Sequence, residues 1–117
     1  MSHLYSLSVP LTNMSNAGRF FKAIGNVQRR RLLVHMLSHN PEDDSKLYIG
    51  DMETTDEELA ALLTEMEHTH LPLLEDYGFI DWDRENHVVT KGPRFDEISP
   101  LLEMMVRHRD ELPEDWI

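Results

Sequence analysis

Three groups of residues have types and spacing suited to chemistry on a nucleic acid. The first is the basic run Arg29, Arg30 and Arg31. Guanidinium groups neutralise phosphate oxygens, which fixes affinity and register but reads no sequence. On a helix three consecutive side chains fan over about 200°, so Arg29 and Arg30 are the pair expected to touch phosphate. The second group is Thr64, Glu65, Glu67, His68 and Thr69. A carboxylate can accept from cytosine N4, and a threonine can meet a donor or the thymine methyl. Arg84, Lys91 and Arg94 add cations around a short alternating stretch, where they would suit the negative potential of a minor groove. Each group has a plainer reading too: a solvated helix start, a solvated acidic face, a charged turn.

Other chemistries are poorly supplied. The chain has no cysteine, which removes disulfides, thiol nucleophiles and Cys-based zinc sites. His68 and His70 lie two residues apart, so on a helix they point about 200° from each other and cannot share one ion. His70 falls on the apolar stripe and reads as a half-buried histidine. No metal site and no cofactor is expected. G-x-S-x-G, HExxH and a glycine-rich phosphate loop are all missing, so no enzyme is expected.

The elements that must position these residues follow from periodicity. Residues 16–38 read as helix, with a possible break at Gly25 and Asn26 and with Asn26 as N-cap of the part carrying the arginines. Residues 39–45 read as a loop. Residues 46–52 are ambiguous between a strand and a small helix. Thr55 and Glu58 form a capping box ahead of a long helix whose stripe runs through Leu59, Leu62, Leu63, Met66, His70, Leu73, Leu74 and Tyr77. Pro72 interrupts that helix and Gly78 ends it. Residues 79–83 and 87–90 alternate as two strands of a hairpin around Arg84, Glu85 and Asn86. Residues 95–112 read as a last helix. Its apolar face, Ile98, Leu101, Leu102 and Met105, is expected to pair two copies across a two-fold axis.

The expected fold class is therefore α+β, mostly α: a winged helix-turn-helix with a two-stranded wing and a C-terminal dimerisation helix. The expected division is an arm at 1–15, the winged-helix domain at 16–94, and the dimerisation helix with its tail at 95–117.

Charge is segregated. The net charge is −11 over 117 residues. Residues 1–41 hold five cations and no acid, while residues 42–117 hold six cations against all 22 acids. Acid-rich, lysine-poor chains are typical of molar intracellular salt, where repulsion is screened to ~3 Å at about 1 M. No apolar run approaches the ~18 residues of a membrane span. The first residues lack the basic and apolar regions of a secretory signal, so the expected compartment is the cytoplasm, with no membrane partner.

The phrase HTHLPLLEDYGFIDWD at 68–83 is similar to a segment of small haloarchaeal winged-helix regulators, distant relatives of the ArsR and PadR regulators. QRRRLL at 28–33 resembles that family's opening helix, and GPRFDEISPLL at 92–102 with RDELPEDWI at 109–117 resembles its tail. The resemblance covers residues 17–117. It implies a halophilic, cytoplasmic, homodimeric regulator that binds double-stranded DNA in a sequence-specific way. One departure stands against it. The helix spanning 56–76 has seven acids and no Lys or Arg. The alternative expectation is a winged-helix interaction module that regulates transcription by binding a partner protein, another component of the transcription apparatus.

Overall fold

Ser15 accepts a hydrogen bond from the amide of Gly18 and starts helix α1, Asn16–Ile24. The computed structural model describes residues 15–45 and 54–117. The arm expected at 1–15 therefore lies outside the described residues except for Ser15, as does the ambiguous segment 46–52. The break expected at Gly25 is present. Asn26 leaves the helical conformation, and its side chain accepts from the amides of Gln28 and Arg29 at 2.8 and 3.3 Å. This cap satisfies two amides that have no partner within helix α2, Val27–Met36.

The segment expected to be a loop contains a two-residue strand, β1, Glu42–Asp43. Thr55 caps the next helix. Its hydroxyl oxygen accepts from the Glu58 amide and donates to the Glu58 carboxylate. Helix α3, Asp56–Glu65, then passes into a π-helical turn, Met66–His70, and on into α4, Leu71–Asp76. Pro72 explains the change of pitch. It has no amide to give to the His68 carbonyl, and its ring needs that carbonyl moved away. The Leu71 amide reaches back five residues, to Met66. Gly78, at φ +80°, ends α4. Its amide bonds the Glu75 carbonyl, and the Phe79 amide bonds Leu74, the paired bonds of a Schellman motif.

The expected hairpin follows, with β2 at Ile80–Asp83 and β3 at Val88–Lys91. Trp82 lies opposite Val89, and Ile80 opposite Lys91. Strand β1 adds to the other edge of β3, giving an antiparallel sheet in the order β1-β3-β2. Gly92 is where the sheet meets the end of α4. A Cβ there would stand 2.5 Å from the Gly78 carbonyl oxygen.

Helix α5, Phe95–Arg107, is shorter than the expected 95–112; a 3₁₀ turn, Arg109–Glu111, follows it. Pro100 leaves the Asp96 carbonyl without its helical donor, and the Ser99 hydroxyl donates to it at 3.3 Å. The fold is α+β and mostly helical.

One core joins these elements: Leu32, Leu33 and Met36 of α2, Met66, Leu71 and Leu74 of the long helix, Phe79, Ile80 and Val89 of the hairpin, and Phe95, Ile98, Leu102 and Met105 of α5. This corrects one expectation. Ile98, Leu102 and Met105 are not a surface for a second copy; they are 0%, 0% and 6% exposed within one chain. Leu101 is half-buried at the edge of the same core. Helix α5 packs on α2 and shares its core. An apolar helix face must be covered, and in this chain α2 and the shared core cover it. No helix among the described residues is long and apolar enough to cross a membrane.

Candidate functional site

The exposed side of the long helix carries Thr64, Glu65, Glu67, His68 and Thr69, all turned to solvent. Thr64 returns its hydroxyl to the Ala60 carbonyl at 2.9 Å. The hairpin stands next to this face. Leu63 and Glu67 of the helix share a cleft of about 300 Å³ with Trp82, Arg84, His87 and Asp44. Asp44 holds the cleft's far wall together. Its carboxylate accepts from the Trp82 indole at 3.1 Å and lies 3.2 Å from Nδ1 of His87, which occupies the left-handed region at φ +57°. The Glu75 carboxylate accepts from the Trp82 amide and ties α4 to β2. Arg84 lies over the Trp82 ring, 4.2 Å from its centroid, and is otherwise exposed.

The remaining expected phosphate contacts lie elsewhere. Arg29 is 7% exposed. Its guanidinium donates to the carbonyls of Ala23 and Lys22 at 3.0 and 2.9 Å and stands 2.9 Å from Nδ1 of His70. Arg30 donates to the carbonyls of Ile24 and Trp116, and its guanidinium stacks 4.0 Å above the Trp116 ring. The cause is the break at Gly25. Ending α1 there orphans its last carbonyls, and a guanidinium is well suited to several such acceptors at a helix C-terminus. Arg29 and Arg30 therefore knit α1 to α2 and are not free to meet phosphate. Burial lowers the pKa of both from the ordinary arginine value.

Arg94 and Lys91 are also engaged. Arg94 makes two 2.9 Å bonds to Glu97 and one to Asn16. The Glu97 carboxylate holds the Arg94 pKa above its ordinary value, and Arg94 holds Glu97 below its own. Lys91 is half-buried, with its ammonium 5.1 Å from the Phe95 ring centroid. Of the five expected phosphate contacts, Arg84 alone is exposed on the helix–hairpin face.

His70 is 4% exposed, deeper than the half-buried position expected of it. Burial and the Arg29 cation hold its pKa below the ordinary imidazole value. No group of three or more His, Asp or Glu among the described residues is arranged to hold a metal ion. Sequence reasoning did not find Asp44 as the hairpin's anchor. Its neighbours read as a polar loop, and no periodicity marks a strand of two residues.

Residues 21–90 match a family described as a domain of unknown function, DUF7344. The chain belongs to the DUF7344 family. The DUF7344 match takes in α2, the long helix and β2, and ends inside β3. Comparison with curated proteins and with solved structures gives no match.

Proposed function

We propose that this chain is a winged-helix transcription regulator that docks on double-stranded DNA through the long helix and the hairpin. The order of elements supports the reading: a helix, a strand on the sheet edge, a long helix, then a hairpin pairing back on that strand. The carrying observation is the row Thr64, Glu65, His68 and Thr69, exposed on the helix beside a hairpin whose tip presents Arg84. Self-association in this reading uses Leu101 and Met104, since Met104 is 52% exposed.

A second reading has its own observation. Arg29, Arg30 and Arg94 are internally bonded, while the exposed helix face is acidic. Such a face suits a basic protein partner better than phosphate. Fluorescence anisotropy in high KCl separates the two, using a site selected from DNA recovered with the tagged protein. Sequence preference that changes on replacing His68 or Thr69 supports DNA reading. No binding to any recovered fragment, with a protein co-purifying in fixed proportion, supports the interaction module.

A further inference from the structure

The π turn at Met66–His70 is an irregular pitch in the middle of the helix assigned to binding, and His68 and Thr69 sit on it. Pro72 makes the turn, and single π turns of this kind are rare and frequent at functional sites. Its exposed residues do not anchor it; Met66 and His70 are its buried ones. Met66 makes apolar contact, which has no direction. His70 makes the directional contact, to Arg29 at 2.9 Å. A guanidinium has only donors, so Nδ1 of His70 must present a lone pair and the ring proton must be on Nε2. Arg29 is itself fixed by the carbonyls of Lys22 and Ala23. The turn is therefore referenced, through two side chains, to the corner between α1 and α2.

We propose that Arg29 and His70 are a positioning pair that anchors the turn made by Pro72 and so fixes the presentation of His68 and Thr69, and that the pair holds only while His70 is neutral. The inference rests on the assignment of this helix as the binding element. The charged and titratable groups facing the pair come from three elements. Arg29 of α2 touches Nδ1. Glu65 of α3 is 3.8 Å from Nε2, on a side chain that is 60% exposed. Tyr77, at the end of α4, faces Arg29. Protonating Nδ1 destroys its acceptor and sets two cations against each other. Glu65, where it stands, offsets only part of this, because burial and Arg29 outweigh it. Acid therefore releases the turn.

The experiment is NMR of the intact chain from about pH 7.5 to about pH 5.5, the range in which histidines titrate. Imidazole nitrogen shifts report the tautomer of His70, and amide exchange, corrected for its intrinsic pH dependence, reports residues 67–71. The proposal expects a neutral His70 with its proton on Nε2. It also expects protection of the turn to fall by up to roughly tenfold per pH unit below about pH 6.5. In His70→Asn the amide oxygen stands where Nδ1 was and accepts from Arg29 without titrating, so protection should become flat with pH. DNA binding by the same variant should lose its dependence on pH below about pH 6.5. A protonated Nδ1 at pH 7.5, or wild-type protection that ignores pH, overturns the proposal, and neither needs the variant to fold. Exchange that follows pH in a protein that binds no DNA would uphold the positioning pair and defeat the DNA reading alone.

Discussion

Arg29 and Arg84 are the same side chain set to different tasks, and the difference is made by what lies within reach. Arg29 follows a helix end whose last carbonyls lack full helical donors, so its guanidinium turns inward; Arg84 sits at a hairpin tip where, among the described residues, it rests on Trp82. Replacing Arg29 by Ala would leave the Ala23 carbonyl and the His70 Nδ1 buried without this donor, and would leave the Lys22 carbonyl with the Gly25 amide. The expected loss is about 2–4 kcal/mol in chemical denaturation, from the desolvation of unpaired groups. Arg29→Lys should recover little, because one ammonium cannot span three acceptors set in a fork. Arg84→Ala should instead change stability by less than about 0.5 kcal/mol, as exposed sites do. In the DNA reading it should weaken specific and random fragments alike, the mark of a backbone contact. The basic run was legible in the sequence as a cluster but not as a corner. Composition records the charge of a guanidinium and says nothing of the orphaned carbonyls it meets in space.

At the scale of elements, the same distinction separates the two sides of α5. Ile98, Leu102 and Met105 fill the core, while Met104 and Val106 are 52% and 43% exposed. At about 100° per residue those two stand some 200° apart, on opposite flanks of the buried stripe, so they cannot join in one interface. Leu102→Glu should therefore unfold the chain, since it places an unpaired charge in the interior, and should not yield folded monomers. Met104→Glu should leave the fold intact and, if the chain pairs through this flank, convert dimers to monomers in light scattering. A folded, monomeric Leu102→Glu would restore the interface first expected there. Gly92→Ala tests the seam between sheet and helix. The new methyl would meet the Gly78 carbonyl and Ile80 backbone at under 3 Å, and the strain should cost about 1–3 kcal/mol in denaturant. Caps at Asn26 and Thr55, the stop at Gly78 and the hairpin were all readable, because each depends on residues close in sequence. Strand β1 was not, because two residues pair through backbone atoms and need no side-chain pattern. The cover of α5 was not either, because an apolar stripe does not say whether its partner is the same chain or another.

The whole molecule carries −11, and nearly all of its repulsion arises after residue 41, where the 22 acids lie. The structure relieves some of it locally. Asp83 accepts from the amide and side chain of Asn86, and Asp43 from Ser45, and those bonds hold both carboxyls below the usual range. The exposed acids of the long helix have less: Glu58 accepts from the Thr55 hydroxyl and Glu75 from the Trp82 amide. Asp56, Glu57 and Glu58 face the favourable end of the helix dipole, but Glu65, Glu67, Glu75 and Asp76 lie beyond its first turn, where that effect has faded. Folding brings these charges closer together than they are in the extended chain, so the native state bears a repulsion that the unfolded state largely escapes. Added salt should lower the cost in the folded state more than in the unfolded one. The thermal midpoint should therefore rise as KCl goes from about 0.1 M to about 3 M, steeply at first and more slowly once the screening length nears ~3 Å. Neutralising the face should imitate salt: a variant with Glu67→Gln and Glu75→Gln should gain stability at low KCl and gain much less at high KCl. Glu75 also accepts from the Trp82 amide, and a glutamine side-chain oxygen preserves that bond. A midpoint that stays flat or falls with KCl would mean that pairwise contacts already balance the charge. It would also remove the main reason to place an acidic helix against DNA, because only in concentrated salt is the repulsion between that helix and phosphate short-ranged enough for a few contacts to prevail.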